Sequence, residues 1–395
     1  MGSFATPMNL RISRKRFLLG LPLASVAIIS CKKSEENAPS NASARKKVRI
    51  GYMGLTCEAP IYVAKEYGFF EKEGVDVELV RTEWTQFKDL LNLGKIDLGQ
   101  QPVMMFLKPI EEGLDVKMTA GVHKGCLRIQ AGVNGKIKAV ADLRGKRIGV
   151  PGMGTPPFIF ANRVLSRNKI DPKTEVEWRV FPSGELALAM EKGEVDAVAT
   201  SEPIGSLLLA EGKVRNIADL GVDPQYANEY CCSIMLNGKF ATGGSRDTCA
   251  AAVRAILKGA KWVETNPRAA AKMSVEKGYL ASNPELNAKA LGALRFTPSV
   301  SGGREAIQAA AQDMMAIGML SATTDVAAVT KRIFVEFDGV TDEWLKTLQV
   351  ETVADGQIPG IHDAIVAREL ETEGPPVFAE TCCSARSRIA RAEPR

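Results

Sequence analysis

The chain has 395 residues, 45% hydrophobic and 25% charged, which excludes a disordered or fibrous protein and is long enough for two lobes of ordinary domain size. Its formal charge is +5, but Arg11, Arg14, Lys15 and Arg16 all precede Cys31 and no acidic residue does. Without those four charges the balance is +1, so no basic face for nucleic acid is implied.

The apolar run at 17–29 is short for a membrane span and fits the core of a secretory signal. It ends Ile28-Ile29-Ser30-Cys31, which resembles a lipobox, so Cys31 is the expected lipidation site. Arg14-Lys15-Arg16 departs from a twin-arginine signal by one lysine. Residues 32–47 read as a polar tether. Val48 and Ile50 then begin a strand, Gly54 permits a tight turn, and Ala59, Tyr62, Val63 and Tyr67 recur at helical spacing until Gly68. A second strand follows at 75–80. This is a βαβ unit, whose first loop, carrying Cys57 and Glu58, opens at the ligand-binding edge of an α/β sheet.

A helix is expected at 87–93, with Trp84 in the loop before it. A strand follows, ending near Gln101, where a helix opens. Strands are expected at 115–120 and 127–133, joined through Gly121-Val122-His123-Lys124-Gly125-Cys126. Gly152, Gly154 and Thr155 form a turn before a helix at 158–168, where backbone N–H groups can meet an anion or a carbonyl. A strand at 177–181 and a helix at 185–192 lead to Gly193-Glu194-Val195-Asp196, which echoes Gly94-Lys95-Ile96-Asp97 about a hundred residues earlier. The echo points to two similar lobes. Glu202 follows in a loop. A strand at 229–236 carries Cys231 and Cys232, of which alternation lets one face a cleft. Helices are expected at 246–265, 267–277 (opened by Asn266-Pro267), 303–317 and 324–334. The text from 348 is a polar tail, partly disordered, with one helix near 361–370.

Three stretches carry a family resemblance. Ala59-Pro60-Ile61-Tyr62-Val63-Ala64-Lys65-Glu66-Tyr67-Gly68-Phe69-Phe70, the Gly-Lys-Ile-Asp-Leu-Gly at 94–99 and Asp142-Leu143-Arg144-Gly145-Lys146-Arg147-Ile148-Gly149 resemble the substrate-binding proteins of nitrate/sulfonate/taurine-type ABC transporters. That group is related to thiamine-pyrimidine-precursor binding and synthase proteins. The resemblance implies a periplasmic-binding-protein type 2 fold: an α/β, two-lobe clamshell, each lobe a mixed sheet flanked by helices, with two hinge crossovers. It divides the chain into a signal peptide (1–31), a linker (32–47), lobe 1 (48–124 plus 234–347), lobe 2 (125–233) and an appended tail (348–395). It implies a non-enzymatic, lipid-anchored protein at the outer face of the cytoplasmic membrane or in the periplasm. The implied partners are a small-molecule ligand and ABC permease and ATPase subunits, with no nucleic acid.

The expected ligand residues are Cys57, Glu58, Trp84, Gln101, His123, Cys126, Gly154, Thr155, Glu202 and Cys232. Glu58 and Glu202 read either as ordinary loop acids or as carboxylates suited to a cationic or hydrogen-bond-donating ligand. Lys124 and Arg128 are expected to face solvent, and Phe160 the core. Seven cysteines besides Cys31 admit three readings: a disulfide such as Cys126 with Cys231 or Cys232, inert buried thiols (the expectation for Cys249), or a soft-metal site from His123, Cys126, Cys231 and Cys232. No other cofactor is expected. The synthase relatives use a multi-cysteine motif with iron, which Cys231-Cys232 matches in part. An enzyme of that type, a thiol-based metal-binding protein and a redox module therefore stand as alternatives.

Overall fold

The structure, a computed structural model, describes residues 46–353. The expected leader, Cys31, most of the linker, the tail helix and Cys382-Cys383 lie outside the described residues. Among the described residues there are ten strands: β1 (Lys46–Tyr52), β2 (Val75–Arg81), β3 (Leu98–Pro102), β4 (Val116–Lys124), β5 (Arg128–Gly132), β6 (Arg147–Val150), β7 (Glu177–Val180), β8 (Ala197–Thr200), β9 (Val214–Asp219) and β10 (Tyr230–Asn237). They form two five-stranded sheets, β2-β1-β3-β10-β4 and β7-β6-β8-β5-β9.

Each sheet is mixed, as expected. In the first, β1 pairs in parallel with β2 and β3, and β10 lies antiparallel to β3 and β4. In the second, β6 pairs in parallel with β7 and β8, and β5 lies antiparallel to β8 and β9. The chain leaves the first sheet after β4 and returns to it at β10. Each passage delivers a strand that inserts beside the central parallel strand of its new sheet. The two passages therefore lie side by side.

The sequence echo has a physical meaning. Asp97 accepts the backbone N–H of Arg49 at 2.8 Å and the Arg49 guanidinium at 2.7 and 3.1 Å. Asp196 does the same for Arg147, at 2.9, 2.8 and 3.1 Å. One carboxylate thus fixes the middle strand of each parallel trio, β1 or β6, against the turn that enters its neighbour, β3 or β8. In the first sheet the paired residues Gly51 and Gly99 make room for Phe87, since a Cβ on either would come within 2.9 Å of its ring.

The first unit forms as read: β1, a 3-10 turn at Thr56–Glu58, the helix Ala59–Glu66, Gly68 at φ +69° and then β2. Its helix packs on the long helix Arg246–Thr265, whose buried face includes Cys249, Val253, Ile256 and Ala260. Other elements depart from expectation. Lys46 and Lys47 already belong to β1 and not to the tether. β4 continues through Gly121 to Lys124 because β10 pairs with it that far, placing His123 on a strand and not in a loop. After β3 the helix opens at Met104, not at Gln101. Asn266 does not cap the helix Pro267–Glu276; its side chain instead binds the backbone of Glu351 and Val353 at 2.8 and 2.9 Å.

Candidate ligand site at the junction of the two sheets

Both passages between the sheets meet β1's exit turn at a buried group of thiols. Cys57 lies in the 3-10 turn after β1, Cys126 between β4 and β5, and Cys231 and Cys232 on β10. All are buried and free, as is Cys249 elsewhere, so among the described residues Cys126 forms no disulfide. Cys57 neighbours Cys126 and Cys232, and Cys231 neighbours the same two, so the four thiols form a ring. Strict alternation would send Cys231 and Cys232 to opposite faces. Both reach the ring because the β10–β4 register slips on either side of Cys232, as at a bulge.

His123 is fully buried on β4, opposite Cys232. Its Nδ1 lies 3.4 Å from the Lys124 carbonyl, while Nε2 has no hydrogen-bond partner. Burial pushes the imidazole pKa down, which favours the neutral ring. One donor atom each from Cys57, His123 and Cys232 lie within 4.8 Å of one another. Cys126 has φ +104°, a left-handed conformation that costs a side-chain-bearing residue about 1–3 kcal/mol. Its thiol is held well below its ordinary pKa by hydrogen bonds from Cys231 and Cys57. Cys57 and Cys231 are pushed up, chiefly by their bonds to Cys126, and Cys232 by burial.

Glu58 and Glu202 are buried but committed. The Glu58 carboxylate accepts the N–H groups of Met53, Gly54 and Leu55 at 2.9–3.0 Å and the Tyr62 hydroxyl at 2.9 Å. Burial nevertheless pushes its pKa up to about 7. It thereby ties down the turn that carries Cys57. Glu202 accepts the Ser206 N–H at 3.0 Å and hydroxyl at 2.9 Å and pairs with Arg128, which also binds Asp219 at 2.8 Å. Burial pushes Glu202, too, up to about 7. Arg128, expected at the surface, is buried because these two carboxylates enclose it. The Glu202 backbone also lies beside the Cys126 thiol, which brings the second sheet next to the thiol ring.

The remaining expected residues separate. Gln101 is buried on β3, with Nε2 3.4 Å from Glu58 and Oε1 unpartnered. Gln100, which the sequence reading passed over, reaches the Cys57 carbonyl, and its Oε1 is unpartnered. Trp84 starts the helix Trp84–Asn92 and packs half-buried against the core. Gly154 is exposed, and Thr155 is buried with its hydroxyl spent on the Gly152 carbonyl at 2.6 Å. The helix that follows starts Pro156-Pro157, so its first two positions have no N–H to offer an anion. Phe160 is core, against Tyr226.

Residues 56–270, more than half of the chain, match the family described as NMT1/THI5 like. The nitrate/nitrite binding protein NrtA of Nostoc sp. is 24% identical over 242 residues, which cover 50% of this chain and 55% of NrtA; the chain thus spans about half the length of the curated relatives it matches. Among solved structures, the periplasmic nitrate-binding protein NrtA of Synechocystis aligns with TM-score 0.61 and 16% identity over 73% of this chain and 86% of that one. The periplasmic aliphatic sulphonate binding protein SsuA of Escherichia coli aligns with TM-score 0.60 and 20% identity over 73% of this chain and 97% of that one. The two mixed sheets are therefore those of the periplasmic-binding-protein fold.

Proposed function

Because the chain belongs to the NMT1/THI5-like family, we propose that it is the solute-binding component of an ABC importer, held outside the cytoplasmic membrane by a lipid on Cys31. It works as a binding protein and not as an enzyme. One lobe comprises 48–124 with 234–347 and the other 125–233, and the lobes close on a small ligand between the sheets. One observation carries the reading: unpartnered or reactive polar groups from separate segments converge where the chain passes between the sheets. Cys57, Gln101, His123, Cys126 and Cys232 contact the ligand. Glu58 and Glu202 hold the turns that present Cys57 and Cys126.

The binding protein delivers its ligand to a permease driven by an ATPase. Reconstituting the lipidated protein with an ABC permease–ATPase pair of its own organism tests this. ATP hydrolysis stimulated by the protein is the expected result, and absence of both association and stimulation refutes the reading. Replacing Cys31 by alanine is expected to release the protein from membranes.

A further inference from the structure

Resting on that reading, we propose that the ligand is a thiophilic d10 metal cation, Zn(II) or Cu(I), bound by Cys57, His123 and Cys232 with Cys126 as fourth donor. The distances suit an ion. The Cys57, His123 and Cys232 donor atoms, within 4.8 Å of one another, need little movement to take three corners of a tetrahedron built on zinc–sulfur bonds of about 2.3 Å, whose edge is roughly 3.8 Å. Thiolate and imidazole donors select such a cation over Ca(II) or Mg(II), which take oxygen ligands.

His123 already has the arrangement of a metal-binding imidazole. Nδ1 faces a backbone carbonyl, which fixes the tautomer, and Nε2 is left with a free lone pair. The backbone strain at Cys126 aims one more sulfur into the ring, where an unstrained residue would serve if burial were the purpose. Inert packing accounts for Cys249, on the buried face of a helix with alanine neighbours, but not for four sulfurs and an orphaned imidazole brought together from three parts of the chain. An oxyanion is disfavoured by the same groups: Arg128, the buried cation of this region, is consumed by Glu202 and Asp219.

Coordination of Zn(II) by three cysteines and one histidine breaks the S–H bond of each of those cysteines, with the proton passing to solvent and the electron pair to the metal. Cys231 stays a thiol and donates to the bound Cys126 sulfur.

The test uses the mature protein, reduced, stripped with chelator and desalted, then titrated separately with Zn(II) and Cu(I). Metal per chain is read by mass spectrometry and thermal stability by calorimetry. We expect one tightly held ion, a rise in melting temperature, and protection of Cys57, Cys126 and Cys232 from alkylation. Affinity should fall at least about a hundredfold in Cys57→Ser and Cys232→Ser, less in Cys231→Ser, and not at all in Cys249→Ser. If a variant fails to fold, the protection pattern of the wild-type protein decides instead. No stoichiometric uptake of either ion, or uptake with these three thiols still reactive, overturns the proposal. If uptake fails while ATPase stimulation persists, the metal is wrong and the transport reading stands. If metal is bound without stimulation, the site stands and the transport reading falls.

Discussion

Cys126 carries a cost that a glycine would not. At φ +104° its Cβ is held in a region that L-residues rarely occupy. Cys126→Ala keeps that strain and loses the sulfur, whereas Cys126→Gly loses both. In metal-free urea unfolding we expect the glycine variant to exceed the alanine variant by about 1 kcal/mol, the reverse of the usual order. Equal stability would mean that the backbone relaxes once the thiol is gone. Glu58 is a second residue whose chemistry is local. Its two oxygens face three backbone donors and one hydroxyl, so Glu58→Gln turns an NH2 group toward donors. Removing the charge should therefore cost stability, about 2–3 kcal/mol, despite the carboxyl's raised pKa. Tyr62→Phe removes one donor and should cost less, about 1 kcal/mol. Urea denaturation orders the two variants, and a smaller loss in Glu58→Gln than in Tyr62→Phe would remove Glu58 from this role.

Among elements, the helix Met104–Glu111 shows how one end is fixed by charge. Glu111 accepts from Lys108 at 2.7 Å, from the Ser321 N–H at 2.9 Å and from the Thr324 hydroxyl. These bonds, Lys108 first, hold its pKa at about 2. The folded value lies below the ordinary one near 4.5, so the unfolded chain binds the extra proton. The stabilisation is present above pH 4.5 and disappears as pH falls toward 2. Melting temperatures of wild type and Glu111→Gln should differ at pH 6 and converge by pH 2, by a small amount because its partner Lys108 is exposed to solvent; a constant difference would contradict the assignment. This helix also marks a limit of legibility. It was expected to open at Gln101 but starts at Met104, and because it is buried on nearly all sides and contains Pro109, neither periodicity nor a breaker rule marks its bounds. The opening βαβ unit was legible because its period changes from strand to helix and back between glycines. The helix Pro284–Gly292 was missed although Asn283-Pro284 repeats the Asn266-Pro267 signal, and here the asparagine does cap, accepting from Leu286 at 2.8 Å. At the site, Cys57, His123, Cys126 and Cys232 were legible as residues lying on predicted edges. That Cys231 and Cys232 turn toward the same group despite alternation, the burial of Arg128 and the commitment of Glu58 and Glu202 were not. A register slip and partners up to 91 residues away decide them, and no local pattern encodes either.

Across the whole molecule, one bridge joins layers that belong to different sheets. Arg163, on the helix Pro156–Arg167 against the second sheet, is almost fully buried. It binds Glu229 through two bonds of 2.8 and 2.6 Å, and Asp313 at 2.9 and 2.6 Å. Arg167 reaches the same Asp313 at 2.6 Å. Asp313 lies on the helix Val300–Ala316, which packs on β4 of the first sheet. Glu229 just precedes β10 and moves with the passage between sheets, so it is Asp313 that ties one layer to the other. Asp313→Asn is the informative change, because Arg163 keeps Glu229 and no buried charge is left alone. If lobe separation breaks this bridge, the variant shifts the unliganded protein toward open forms. Small-angle scattering should then give a larger radius of gyration, and apparent ligand affinity should fall by the fraction of molecules no longer closed. Saturating ligand should restore the compact dimensions. An unchanged radius together with unchanged affinity would mean that the bridge holds equally in every arrangement of the lobes, and closure would have to be governed at the thiol ring alone.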